Sequence, residues 1–273
     1  MSERAPHTPF LKMHGLGNDF VIFDARRRTL DFDAGLVRRL ASRRRGIGFD
    51  QMVVLRPSAN ADAFMEIWNA DGSEVAACGN ATRCVGKLLI AEHGGDKASI
   101  ETKAGLLSAV RADERISVNM GPARLDWQEI PLAHAADTLH IPYAMGMLDD
   151  PVAVNMGNPH AVFFVEDADA VPLQDLGPQI ETDPLFPERV NVSVATVKDG
   201  HIRLRVWERG AGITEACGTA ACAATVAAFR RGLTDRHATV ELDGGTLEIV
   251  WLPDGSVQMT GDAVLSYAGE VAL

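Results

Sequence analysis

Residues 77–84 read ACGNATRC and residues 216–222 read ACGTAAC. The chain has four cysteines, and two of them stand in the same Ala-Cys-Gly setting. Working outward at an offset of 139, Trp68 falls on Trp207, Ala77 on Ala216, Cys78 on Cys217, Gly79 on Gly218 and Ala81 on Ala220. Each tryptophan ends an alternating, strand-like run, AFMEIW at 63–68 and HIRLRVW at 201–207. At an offset of 140, Gly17-Asn18 falls on Gly157-Asn158 and Gln51 on Asn191, each beside an apolar strand pattern. Four blocks recurring in one order predict an internal duplication.

After each Ala-Cys-Gly the spacing of apolar residues turns helical. NATRCVGKLLIAEH (80–93) ends at Gly94-Gly95, and TAACAATVAAFRR (219–231) ends at Gly232. The second segment is apolar nearly all round, which predicts a helix enclosed by its own domain. ASIET, LLSAV, RISVNM, ATVEL, TLEIVW and SVQMT supply further short strands, and DAGLVRRLASRRR (33–45) reads as one outer helix with a solvated basic face. GPARLDWQEIPLAHAADT (121–138) reads as the bridge between the halves.

The chain has 273 residues, 47% apolar and 23% charged, and a net charge of −11. That length fits two ordinary domains. The negative charge argues against a nucleic-acid partner. The start, MSERAPHTPFLKMHG, lacks the apolar core of a signal peptide, and no apolar run is long enough to span a membrane. The expected compartment is the cytoplasm, where thiols stay reduced.

If Cys78 and Cys217 open their helices, Cys84 and Cys222, six and five residues on, do not share their faces and read as small core residues. These spacings also miss the usual Cys-x-x-Cys metal pairs, so no metal site is expected. A helix start offers free N–H groups and partial positive charge. That field should lower a thiol pKa from about 8.5 and bind a carboxylate. Opposed thiols around one carboxylate have a natural chemistry: one removes an α-proton, the other returns a proton on the opposite face, and no cofactor takes part.

MHGLGNDFVIFD (13–24), GIGFDQ (46–51), WNADGSEVAACGNATRC (68–84), GNPHAVFF (157–164), VNVSVA (190–195) and ERGAGITEACGTAACA (208–223) together resemble the diaminopimelate epimerase family, from about Phe10 to the closing YAGEVAL. The resemblance implies an α/β fold of two pseudo-symmetric domains, each a mixed, mostly antiparallel sheet curled around a central helix. It places an N-terminal domain at 1–124, completed by a last strand at 264–273, a C-terminal domain at 125–263, and the active site in the cleft between them. It implies an isomerase that interconverts LL- and meso-2,6-diaminopimelate without pyridoxal phosphate or metal, in lysine and peptidoglycan precursor synthesis. Cys78 and Cys217 would be the acid/base pair. Gly79, Asn80, Gly218 and Thr219 would supply the helix-start donors, and His160 and Glu208 would hold the reacting end. Asn18, Gln51, Asn69, Asn158, Asn191 and Arg209 would read the substrate, and Tyr267 would mark a homodimer contact. Where the family often has Gly this chain has Ala81 and Ala220, and where it has Glu this chain has Ile213, departures that bear on rate. The competing readings are another cofactor-independent racemase, of the proline racemase or hydroxyproline epimerase type, and a non-catalytic thiol redox sensor.

Overall fold

A computed structural model of the chain describes residues 7–273. The first six residues of the start read above for a targeting signal lie outside the described residues. The chain divides into two compact units. One runs to Val118 and resumes at Gly261–Leu273; the other is Asn119–Thr260.

The first unit contains β1 (His7–Gly15), β2 (Asn18–Asp24), α1 (Ala34–Ala41), β3 (Gln51–Arg56), β4 (Ala63–Asn69), β5 (Glu74–Val75), α2 (Gly79–His93), β6 (Lys97–Thr102) and β7 (Gly105–Ala112). The chain leaves this unit within β8 (Arg115–Pro122). β1 pairs antiparallel with β2, β3 with β4, β6 with β7 and β7 with β8, while β2/β3 and β4/β6 are parallel. Residues of β1 to β3 and α1 close one core around Phe10, Val21, Phe23, Met52 and Val54. Asp33 caps α1 through its side chain, and the helix ends at Ser42, whose ψ of 114° leaves the helical range. It is therefore shorter than the basic run predicts.

The second unit has a two-stranded ribbon, β9 (Ala144–Met145) and β10 (Leu148–Asp149), and then β11 (Val152–Asn155), β12 (Pro159–Phe164), α3 (Leu173–Glu181), β13 (Asn191–Lys198), β14 (His201–Glu208), β15 (Gly212–Ile213), α4 (Gly218–Arg230), β16 (His237–Leu242), β17 (Gly245–Trp251) and β18 (Ser256–Gly261). The stretch 121–138 is more than a bridge: Ile130 and Leu132 are buried in this unit's core with Phe163, Phe186 and Val192. The last strand, β19 (Val264–Ala272), pairs antiparallel with β1 and so completes the first unit.

The duplication is written in the strand registers. Phe20 stands opposite Gln51 across β2/β3, and His160 stands opposite Asn191 across β12/β13. Met52 faces Trp68 as Val192 faces Trp207, and Trp68 faces Glu74 as Trp207 faces Ile213. Because side chains alternate faces along a strand, a shared register puts equivalent residues on equivalent faces.

Both α2 and α4 are enclosed helices. In α4 the buried residues include Ala220, Ala221, Cys222, Ala223, Ala224, Val226, Ala227 and Ala228. Small side chains are what allow sheet to close round a helix on several sides. In α2 the tightest approach is at Gly86, where an added Cβ would lie 2.4 Å from the Cβ of Ala109 on β7. Gly86→Ala is therefore expected to lower stability by about 1–3 kcal/mol through overpacking. Ala109→Gly in the same chain should recover part of the loss. Urea unfolding midpoints of the single and double variants check both statements.

Candidate active site

In both units a cysteine is the residue that caps the enclosed helix. Cys78 precedes α2 with φ −149° and ψ 117°, and Cys217 precedes α4 with φ −123° and ψ 107°. Both are extended, as an N-cap should be, and neither side chain bonds to its helix as a cap. The first N–H groups of each helix, from Gly79-Asn80 and Gly218-Thr219, thus have no intrahelical acceptor and sit next to a sulfur. Cys78 is half-buried and Cys217 is buried. Cys84 and Cys222 are fully buried core residues, and burial pushes the Cys84 thiol up to about 12. Ala81 and Ala220 are likewise fully enclosed.

In the first unit, three strand ends carry amides, and one of them, Asn18, reaches the start of α2. Asn18 opens β2, Gln51 opens β3, and Asn69 closes β4 opposite Gln51. Gln51 Nε2 donates to Asn69 Oδ1 at 3.0 Å, and Asn80 Nδ2 donates to Asn18 Oδ1 at 3.1 Å. Gln51 Oε1 and Asn80 Oδ1 are buried and have no hydrogen-bond partner. Each such atom costs about 1–3 kcal/mol until something donates to it.

The second unit uses the repeat-equivalent positions with other chemistry. Asn158, Asn191, Glu208 and Thr219 stand where Asn18, Gln51, Asn69 and Asn80 stand in the first. Asn191 Nδ2 donates to the Pro159 carbonyl at 2.9 Å, and its Oδ1 accepts from the Arg209 N–H at 2.9 Å. The Arg209 guanidinium donates to the Glu188 carbonyl at 2.9 Å. His160 is fully buried, with Nε2 2.9 Å from Asn158 Oδ1 and Nδ1 lacking a partner. Burial, and then the charge of Arg209, push its pKa down to about 3, so the ring is neutral at ordinary pH.

Around Cys217 the structure corrects the expectation of a lowered pKa. Burial raises this thiol well above its ordinary value, and the Glu208 carboxylate adds to the rise. The Thr219 hydroxyl, 3.5 Å from Sγ, and the Ala220 N–H pull the other way and lose. The helix-start field is real, but desolvating a sulfur anion outweighs it. Glu208 itself accepts from Thr214 Oγ1 at 2.5 Å. Thr214, and Asp50, Asp71 and Ser73 in the first unit, are site neighbours that the sequence reading does not single out. Ile213, the departure noted above, is 40% exposed on β15.

Tyr267 lies on β19 and is 47% exposed. A cavity of about 640 Å³ opens in the first unit among Phe10, Leu11, Leu88, Leu89, Glu92 and Ala268. It is at the far end of α2 from Cys78 and includes neither cysteine, so it does not mark the reactive groups. Among the described residues no group of three or more His, Cys, Asp or Glu is arranged to hold a metal ion. No helix there is long and apolar enough to cross a membrane.

A family model described as diaminopimelate epimerase matches residues 10–125 and 152–266. The chain is 56% identical over 267 residues to a diaminopimelate epimerase of Rhodospirillum centenum, covering 96% of this chain and 92% of that protein. It is 56% identical over 269 residues to one of Phenylobacterium zucineum, covering 96% and 97%. Among solved structures, a PhzF-family phenazine biosynthesis protein of Bacillus anthracis superposes with a TM-score of 0.70 at 17% identity, covering 98% of this chain and 100% of that one. A hydroxyproline epimerase of Agrobacterium vitis, crystallised with trans-4-hydroxy-L-proline, superposes with a TM-score of 0.68 at 18% identity, covering 98% and 93%. At these identities the likeness is one of fold: two sheet-dominated α/β domains.

The raised pKa of Cys217 gives a direct expectation. Glu208→Gln removes a negative charge that opposes ionisation, so the pKa of Cys217 should fall and its thiolate fraction at pH 8 should rise. Peptide mapping after a short iodoacetamide pulse should therefore find residue 217 labelled faster in the variant. The increase should fade as pH is raised and the intact protein ionises as well.

Proposed function

The chain belongs to the diaminopimelate epimerase family, and from that membership we propose a residue-level account of its reaction, the interconversion of LL- and meso-2,6-diaminopimelate. The observation that carries the account is a cysteine at the N-cap of the enclosed helix in each half of one duplicated register. An amino-acid α-proton is very weakly acidic, so the site must both remove it and stabilise the charge left behind.

Cys78 acts first as thiolate. It takes the α-proton, the C–H electron pair moves toward the carboxylate, and an S–H bond forms. Cys217, held as thiol by burial and by Glu208, gives its proton to the opposite face of the same carbon and becomes thiolate. Configuration inverts, and the two sulfurs have exchanged protonation states; the reverse reaction exchanges them back. The reading requires that both sulfurs reach one carbon. Backbone N–H groups of Gly79-Asn80 and Gly218-Thr219 donate to the reacting carboxylate, whose negative charge grows as the proton leaves. Donors placed in advance where charge develops are the strongest catalytic device available without a cofactor. Neutral His160 and the Glu208 side chain hold the reacting end. Asn18, Gln51, Asn69, Asn158, Asn191 and Arg209 read the rest of the substrate, with Arg209 suited to a carboxylate. A polar site of this kind rejects substrates lacking the matching groups, so proline should not be racemised.

The expected homodimer belongs to the same proposal. Leu265 and Tyr267, two residues apart on β19, expose 51% and 47% of their surface, apolar area that a second copy would cover. The enzyme would work in the cytoplasm on a precursor of lysine and peptidoglycan. Light scattering should give twice the chain mass, and Tyr267→Arg should reduce it; an unchanged dimer would place the interface elsewhere.

Proton exchange tests the chemistry. With LL-diaminopimelate in heavy water the intact enzyme should release inverted product carrying deuterium at the α-carbon. Cys78→Ala and Cys217→Ala should each lose about 10²–10⁴-fold in inversion, the usual contribution of one acid or base. Either variant turning over at the intact rate would remove that residue from the mechanism.

A further inference from the structure

The two bare oxygens of the first unit each end a chain of hydrogen bonds, and each chain begins at a carboxylate. An ionised carboxylate can only accept, a hydroxyl has one hydrogen to give, and an amide has a donor end and an acceptor end. Fixing the first member of such a chain therefore fixes every later one.

The first chain starts at Asp71, in the turn between β4 and β5. Ser73 Oγ donates to Asp71 Oδ1 at 2.6 Å. With its hydrogen committed, that hydroxyl must accept from Asn69 Nδ2, at 3.0 Å. Asn69 then turns Oδ1 to Gln51 Nε2, at 3.0 Å, which leaves Gln51 Oε1 buried with no partner. The hydroxyl and N–H of Ser73 also hold the Asp71 carboxyl below its ordinary pKa, which keeps it an acceptor at neutral pH.

The second chain starts at Asp50. Arg43 Nη2 holds Asp50 Oδ1 at 2.6 Å, while Oδ2 accepts from the Asp19 N–H at 3.0 Å and from Asn18 Nδ2 at 3.1 Å. Asn18 must then present Oδ1, which accepts from Asn80 Nδ2 at 3.1 Å, and Asn80 Oδ1 is left buried with no partner. Turning any amide in either chain would set donor against donor or oxygen against oxygen.

We propose that Asp71 with Ser73, and Asp50 acting through Asn18, are positioning groups that lock the side-chain amides of Gln51 and Asn80 with their oxygens bare, so that these side chains receive an ammonium group of the substrate, while its carboxylate goes to the backbone N–H groups at the helix start. The inference rests on the reading above that Gln51 and Asn80 face the substrate. An ammonium can donate to a bare oxygen, and a charged donor makes the stronger hydrogen bond. A carboxylate there would meet only acceptors.

The repeat argues that the chains are not needed for the fold. At the positions equivalent to Asp50, Asp71 and Ser73 the second unit has Val190, Gly210 and Gly212, and it keeps the same strand registers without them. Its Asn191 spends both ends of its amide on backbone groups instead.

The test is Ser73→Ala against Ser73→Thr in the full-length enzyme. Ser73 is exposed, so both changes are sterically mild. Alanine frees Asn69, and through it Gln51, to turn; threonine keeps the hydroxyl. For Ser73→Ala the KM for diaminopimelate should rise about ten- to a hundredfold, the range for a hydrogen bond to a charged group. Its kcat at saturation should stay within about twofold and its melting temperature should not move; Ser73→Thr should restore the KM. Competitive inhibition by heptanedioate, which has the same carbon chain and both carboxylates but no ammonium, should be the same in intact and Ser73→Ala enzyme, whether measurable or absent. An unchanged KM, an equal weakening toward heptanedioate, or a loss of kcat together with melting temperature would overturn the proposal. Formation of inverted, deuterated product at saturating substrate separates this from the two-thiol mechanism: it persists in Ser73→Ala and falls about 10²–10⁴-fold in the cysteine variants if that mechanism holds.

Discussion

A sulfur at the mouth of an enclosed helix is pulled two ways, and the rest of the site follows from that contest. The unpaired N–H groups of the first turn favour an anion. The enclosure that makes α4 rigid also strips water from Cys217, and that favours the neutral thiol. Enclosure has a sequence requirement. α4 is built from alanines, one cysteine, one valine and two threonines over most of its length, and α2 brings Gly86 against Ala109. Larger residues would hold the sheet away from the helix, and the sulfur would then be a solvated surface thiol with an unremarkable pKa.

Duplication supplied two such mouths, and divergence gave them different work. The backbone registers around Gln51 and Asn191 are the same, yet the side chains set on them are not. Where the first unit has Phe20, the second has a fully buried neutral histidine. Where the first has Asn69, the second has Glu208, a carboxylate that raises the thiol beside it. The first unit sets neutral amides at its strand ends and holds its carboxylates, Asp50 and Asp71, one or two hydrogen bonds farther back. The second puts a carboxylate in direct reach of the sulfur. In the proposed mechanism one thiol must begin as base and the other as acid, and each takes the other's role in the reverse direction. The asymmetry of the surroundings is what distinguishes them.

Much of this was legible in the sequence. The offset of 139 to 140 residues, the strand-like runs ending at Trp68 and Trp207, and the small residues after each Ala-Cys-Gly predict the repeat, the enclosed helices and the cysteines at their starts. The parts that were not legible have specific causes. α3 contains Gly177-Pro178, a pair that reads as a helix stop. Gly177 is required because a Cβ there would run into the Trp207 ring. The outer helix α1 stops four residues before the end of the basic run, for local backbone reasons that composition does not reveal. Asp50, Asp71 and Ser73 escaped because the repeat, the strongest signal in the chain, has nothing to match them with. Their role depends on the order of donors and acceptors in space.

A helix start alone predicts a lowered pKa for Cys217, and burial beside Glu208 reverses the sign. A helix start contributes about 0.3–1 kcal/mol at an exposed site and up to about 2 kcal/mol where partly buried. A pKa unit is worth 1.36 kcal/mol, and full burial moves a group by up to about 3–5 units. The field must therefore lose at an enclosed sulfur beside a carboxylate, as at Cys217. The sequence reveals the field, because it reveals where a helix begins. It does not reveal how deeply that beginning is buried, and at Cys217 depth outweighs the field.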